Sequence, residues 1–178
     1  MHIGIFGISG TGKTTLTQAF LQDKLDYFGT SASSLIANAG NDINYKLLNQ
    51  DKISRNQKAL INKYDELKID HPNTIIELHN LIEVDDGLSL IPSEVLLDLN
   101  LDLIFFLYTE PSEILKRRIL DKKKSRKIVT REELKRIQEL SLEHLISTFG
   151  SKNVHILFGS DAAEQLNNFL NSPHRRDN

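Results

Sequence analysis

HIGIFGISGTGKTT, residues 2–15, sets a short apolar run directly before a glycine-rich turn that ends in lysine and two threonines. The run His2 to Ile8 is rich in Ile and Phe, which predicts a buried strand. A helix is predicted from Lys13 to about Asp26, with Leu16, Ala19, Phe20 and Leu25 on one apolar face. Between them Gly7, Ile8, Ser9, Gly10, Thr11, Gly12, Lys13 and Thr14 satisfy the spacing G-x-x-x-x-G-K-[ST]. Glycines let several backbone N–H groups turn toward phosphate oxygens, and a helix N-terminus adds partial positive charge at the same place. Lys13 then supplies a full charge to the β- and γ-phosphates, Thr14 offers a hydroxyl to Mg²⁺, and Thr15 is expected at the α-phosphate. The bland alternative is an ordinary strand-to-helix turn, and the complete motif between a predicted strand and helix argues against it.

Outward from this loop the pattern alternates. A weak strand is predicted at Tyr27–Ala32, Ser- and Asn-rich clusters follow, and a helix is expected from about Ser54 to Lys68. Asn73–His79 reads as a second buried strand after the helix-stopping Pro72. Leu81–Val84 and Leu88–Ile91 flank Asp85-Asp86-Gly87 and predict a small hairpin. A short helix is expected from Pro92–Ser93 to Leu99, then the strand Asp102–Thr109, a helix opened by Pro111, and another near Glu132-Glu133. The strand Asn153–Phe158 and a helix from Asp161 to Leu170 complete the series. Continuous apolar strands alternating with helices imply a parallel sheet covered on both faces. The expectation is an α/β, three-layer P-loop NTPase fold with five parallel strands in order 2-3-1-4-5, as one domain over residues 1–171. A small lid is expected at about 117–131 and a frayed tail at 172–178.

Composition narrows the partners. The chain of 178 residues suits one well-buried domain, and 39% hydrophobic with 26% charged residues fits a globular rather than a disordered chain. No cysteine is present, so disulfides and thiolate metal sites are excluded, and the opening residues lack the pattern of a leader. No apolar run approaches the ~20 residues of a spanning helix, so a cytoplasmic protein without a membrane partner is expected. Eight of the 22 Lys and Arg residues lie between Lys116 and Lys127, against the single acid Asp121. The remaining 14 bases and 23 acids leave the body at −9, which argues against a nucleic-acid partner and for a compact polyanion at the basic segment.

A P-loop is shared by kinases, GTPases and motor ATPases. No Asn-Lys-x-Asp guanine-reading stretch is expected, and the length leaves no room for the extra helical domain of an AAA motor. A small kinase is favoured. GISGTGKTT at 7–15, IELHNLI at 76–82, GLSLIPSEVLLDLNLDLIFFL at 87–107 and ILKRRILDKKKSR at 114–126 together resemble the archaeal-type adenylate kinases. A more distant likeness is to the nuclear adenylate kinase group that also hydrolyses ATP.

The resemblance implies roles. In that family an acidic-x-His sequence closes the third strand and its acid orients magnesium-bound water; here it is Glu77-Leu78-His79, where the usual acid is Asp. His79 either contacts substrate or is a packed histidine. The basic segment corresponds to the lid and the helix leading into it, so Arg117, Arg118 and Arg126 are candidates to close over phosphates. Alternatively Arg117 pairs with Glu113 at i,i+4 and Lys122–Lys124 form a solvated face. Gly159, Ser160 and Asp161 are implied beside the adenine. Residues 27–73 hold one arginine, Arg55, although guanidinium suits an acceptor phosphate best; Lys46, Lys52 and Lys58 are the other cations considered there.

The expected activity is transfer of the γ-phosphoryl of MgATP to a small acceptor, with a nucleoside monophosphate such as AMP leading. The assigned catalytic set is Lys13, Glu77, Arg118 and Arg126. The alternatives are a slow ATPase that switches a protein or RNA partner, and a nucleoside or metabolite kinase. The resemblance permits a trimer.

Overall fold

The computed structural model describes residues 1–41, 50–84, 87–121 and 129–172. In chain order its elements are β1 His2–Phe6, α1 Lys13–Asp23, β2 Phe28–Ser31, α2 Ala32–Asn38, α3 Gln50–Asp70 and β3 Thr74–Glu77. They continue with β4 Leu81–Val84, β5 Gly87–Leu90, α4 Ser93–Asp98, β6 Leu103–Tyr108 and α5 Pro111–Leu120. The last are α6 Arg131–Phe149, β7 Val154–Phe158 and α7 Ala162–Asn171.

Five strands pair in parallel in the order β2-β3-β1-β6-β7, while β4 and β5 form a separate antiparallel hairpin. Counting only the parallel strands, this is the expected order 2-3-1-4-5. Consecutive apolar residues divide between the two faces, as strand alternation requires. Ile75, Phe105 and Leu107 join Ile3 and Ile5 against Leu16 and Phe20 of α1 and Leu166 of α7. Ile76, Phe106 and Phe6 turn the other way, onto Leu60 and Tyr64 of α3, Leu96 of α4 and Leu145 of α6. Phe6, Phe105 and Phe106 are completely buried, and each such side chain contributes roughly 1.5–3 kcal/mol relative to exposure. The chain therefore needs apolar residues at adjacent strand positions, which is why its strands read as continuous runs.

Several boundaries differ from expectation. α1 stops at Asp23, because Lys24 leaves helical geometry and its carbonyl accepts from the N–H of Tyr27 as the chain turns into β2. Leu25 is thereby thrown into solvent at 91% exposure rather than packed on the sheet. The helix α2 lies where only Ser and Asn clusters were read; Ser31 caps it, its hydroxyl accepting from the N–H of Ser34. α3 begins before Ser54 and runs to Asp70. The expected lid at 117–131 begins on α5, and Arg126 with Lys122–Lys124 lies outside the described residues, as do Lys46, Asp85, Asp86 and residues 173–178 of the expected tail.

Side-chain amides finish the carboxyl ends of the strands. Gln138 of α6 accepts from the N–H of Thr109 at 3.1 Å and donates to its carbonyl at 2.8 Å. One turn on, Ser141 donates to Asn80 Oδ1, and Asn80 Nδ2 donates to the Ser141 carbonyl, both at 2.6 Å. Gln165 of α7 brackets Phe158 at the end of β7 in the same manner. At the opposite end of the sheet Tyr64 meets Thr74 at 2.7 Å, and burial pushes its phenol pKa up to about 12.

Candidate active site: the phosphate loop and its neighbours

Residues 7–12 turn at the carboxyl end of β1, the edge at which parallel α/β sheets receive ligands. Gly10 and Gly12 have φ of +95° and +100°, values that side-chain-bearing residues rarely adopt. Gly12 caps α1, and a Cβ there would lie 2.7 Å from Arg117 Nη1. Glycine is thus demanded by the backbone conformation, and a side chain there would also push the movable guanidinium of Arg117 aside.

The loop is braced from within. The Lys13 ammonium, with 7% of the residue exposed, donates to the carbonyls of Gly7 at 2.7 Å and Ile8 at 3.1 Å. Thr11 is buried and its hydroxyl donates to the Ile8 carbonyl. Its own carbonyl accepts from Thr109 Oγ1 at 2.8 Å and from Arg117 Nη1 at 2.6 Å. The turn of the loop is therefore tied to the end of β6 and to α5.

A cleft of about 510 Å³ opens in front of the loop, with Ser9, Gly10, Gly12, Lys13, Thr14, Glu77, His79 and Arg117 in its wall. Thr14 Oγ1 donates to Glu77 Oε2 at 2.7 Å, so the first turn of α1 and the end of β3 bring two hard oxygens together. Such oxygens suit Mg²⁺, which takes few protein ligands and keeps waters; the donor set fits a magnesium-bound nucleotide. Thr15 follows on the exposed side of α1, and Gly159 and Ser160 form an exposed turn after β7, outside the cleft wall.

The two adjacent arginines of α5 separate. Arg117 lies at the cleft beside Gly12 and bonds to the Thr11 carbonyl instead of pairing with Glu113. Arg118, 3% exposed, turns inward behind the loop. Its Nε and Nη2 donate to the Ser9 carbonyl at 3.0 and 2.8 Å, and Nη1 and Nη2 grip Glu83 at 2.9 and 2.6 Å. Expected among the phosphate-closing residues, Arg118 is here occupied in holding the loop. Glu83 was not singled out from sequence, since its partner is 35 positions away and nothing local points to it.

A second, smaller cavity of about 70 Å³ adjoins the cleft and shares Ser33 and His79 with it. It is bounded by Ile53, Asn56, Gln57 and Leu60 of α3 and by Ile82 and Ile91 of the hairpin region. Gln57 Nε2 is buried there without a hydrogen-bond partner. Arg55 is exposed on α3 and lines neither cavity. Against expectation, Asn62-Lys63-Tyr64-Asp65 does match the guanine-reading pattern. It sits inside α3, where Tyr64 is core and Lys63 and Asp65 pair with Glu66 and Lys68; a helix interior cannot offer the loop that reading requires.

Comparison with known proteins agrees with this construction. A family model described as "AAA domain" matches residues 6–135, a span that includes the phosphate loop, Glu77 and both α5 arginines. The adenylate kinase of Pyrococcus furiosus is 34% identical over 148 residues, covering 77% of this chain and 74% of that protein. The adenylate kinase of Thermococcus kodakarensis is 30% identical with the same coverage. The chain belongs to the archaeal-type adenylate kinase-like family of P-loop kinases. Among solved structures, a sugar kinase from Janibacter superposes with a TM-score of 0.59 at 17% identity, covering 95% of this chain and 93% of that one. Deoxyadenosine kinase from M. mycoides with bound dATP gives 0.55 at 15% identity, covering 97% and 100%. At such identities these two speak for the fold alone. The protein is thus a phosphotransferase of P-loop architecture, and no helix among its described residues is long and apolar enough to cross a membrane.

Proposed function

We propose that this P-loop kinase moves the γ-phosphoryl of MgATP to a small phosphorylated acceptor, with AMP the leading candidate. The observation that carries the reading is the junction of the two cavities at Ser33 and His79. A donor phosphate on the loop and an acceptor in the smaller cavity meet there. In the transfer, an acceptor oxygen forms a bond to the γ-phosphorus while the bond to the β–γ bridging oxygen breaks and ADP leaves. Holding both partners in line supplies much of the acceleration, because no covalent enzyme intermediate is needed.

Lys13 and Arg117 neutralise charge spreading over the moving group. Thr14 and Glu77 would hold Mg²⁺ and its water shell, and the ion would supply positive charge to offset that of the phosphates. Arg126 remains a candidate to approach from the basic segment, and Gly159 with Ser160 to border the base. Arg118 takes a positioning role in place of a catalytic one, since its donors already serve Ser9 and Glu83. The identity of the acceptor is supported by the relatives' activity as adenylate kinases. A slow ATPase switch is the second reading, favoured by one observation: Arg55, the single arginine of residues 27–73, lines neither cavity.

The test is MgATP turnover against nucleoside monophosphates, nucleosides and no acceptor. Rapid ADP formation that requires AMP and is lost in Lys13→Ala supports the kinase. Slow, acceptor-independent phosphate release moves the assignment to the switch.

A further inference from the structure

The hairpin strand β4 touches both halves of the site through adjacent residues. Ile82 lines the small cavity, and Glu83, pointing to the other side of the strand as alternation requires, grips Arg118. Both Glu83 oxygens are engaged, at 2.6 and 2.9 Å, in the two-point geometry that fixes a guanidinium in orientation as well as position. The same guanidinium spends its Nε and shares its Nη2 on the Ser9 carbonyl. Ser9 directly precedes Gly10, and a Cβ on Gly10 would already press on Ile114 and Arg118 at 3.2 and 3.3 Å. The guanidinium therefore sits tight against the outer side of the loop and turns the Ser9 carbonyl outward. A peptide whose carbonyl faces away from the cleft presents its N–H side, here the N–H of Gly10, toward it; this is the polarity an anion needs.

We propose that Glu83 is a positioning residue for phosphoryl transfer: through Arg118 and the Ser9 carbonyl it holds the phosphate loop in its anion-binding form and links that form to the strand bordering the acceptor cavity. The proposal rests on the reading of the cleft as the phosphate site. Arg118 alone would not suffice. Without a carboxylate, a buried guanidinium must find other acceptors or leave for solvent, and either movement releases Ser9. The side chain of Arg118 is fully buried whereas that of Glu83 is 25% exposed, so the carboxylate end of this strut is open to substitution at smaller cost to the core.

The experiment compares Glu83→Gln, Glu83→Asp and Lys13→Ala with the unaltered chain. Thermal unfolding, affinity for a fluorescent ATP analogue, and kcat and KM for ATP and acceptor are measured for each. Displacing a reacting group by about an ångström costs on the order of 10²-fold in rate; Glu83→Gln is expected to lower kcat by about 10- to 100-fold on that scale. Nucleotide affinity should change far less, and kcat should recover partly in Glu83→Asp, which keeps the charge. The ³¹P resonances of bound ATP should also move in Glu83→Gln. A folded Glu83→Gln with kcat within twofold of the unaltered chain and unmoved ³¹P resonances overturns the proposal. If Glu83→Gln fails to fold, Glu83→Ala, which also removes the carboxylate, decides by the same two readouts. Lys13→Ala separates the underlying reading from this one: should it bind and turn over ATP normally, the cleft itself is misassigned, whatever Glu83 does.

Discussion

The two halves of the site are built on opposite plans. At the phosphate loop the carbonyls of Gly7, Ile8, Ser9 and Thr11 are all engaged by Lys13, Thr109, Arg117 or Arg118. On the acceptor flank the wall is largely apolar. Gln57 Nε2 at the small cavity is one of three buried side-chain polar atoms without a partner among the described residues; Thr17 Oγ1, another, lies on the cleft side. A loop that is complete before substrate arrives holds its dipoles ready where charge develops. A flank with unsatisfied buried groups is one that a ligand completes, and discrimination is strongest where the wrong ligand leaves such groups unpaired.

Four measurements put this contrast to the test. The largest effect is expected from Lys13→Ala, which removes the central cation of the preorganised half; turnover should fall by about 10³-fold, on the scale of one lost transition-state donor, and normal steady-state rates would defeat the assignment. Next is Gln138→Leu, which strips partners from the buried N–H and carbonyl of Thr109. At about 1–3 kcal/mol for each orphaned group, urea unfolding should show a loss of about 3 kcal/mol; an unchanged midpoint would mean the brace is decorative.

On the flank, Gln57→Leu should raise the acceptor KM by about tenfold, equal to roughly 1.4 kcal/mol of binding, with ATP affinity unaltered. A matching rise in ATP KM would show that the halves are not separable. The last measurement concerns Tyr64, which anchors α3 beneath the flank. Its pKa of about 12 lies above the ordinary value near 10, so the folded chain holds the phenolic proton more tightly than the unfolded chain. That stability is complete below pH 10 and is lost as pH rises toward 12. Urea midpoints at pH 9 and 11.5 should diverge less in Tyr64→Phe than in the unaltered chain.

Legibility in the sequence followed the range of the interactions. The loop was readable because its requirements are contiguous: glycines at turning points, then Lys13 and Thr14 at a helix start. The parallel, doubly covered sheet could be anticipated because apolar runs such as Leu103–Leu107 demand cover on both faces, whereas the strand order came with the P-loop fold and not from the runs themselves. α2 was missed because Ser31, Ser33 and Ser34 look like loop residues, although a serine three positions before a continuing chain is also what an N-cap looks like. For Arg117 and Arg118, composition alone gave no choice between two neighbours some 100° apart on a helix. The phase of α5 held the clue, since Ile114 and Arg118 share a buried stripe at i,i+4. Glu83 and Gln57 were beyond reach, for their significance comes from partners or vacancies created only by folding.

The amides of Gln138 and Gln165 carry a further consequence. Each presents to a strand end the same donor and acceptor pair that a neighbouring peptide would present, so the last rung of the sheet is written in side chains. Main-chain rungs change only when the backbone is rebuilt, whereas these can be altered by a single codon. Replacing glutamine by glutamate at position 138, which is fully buried, would set an oxygen against the Thr109 carbonyl in place of a donor, so that rung would hold only with a proton between the two oxygens. The edge of the sheet that faces the ligand is therefore the part of this architecture that evolution or a designer can retune one residue at a time.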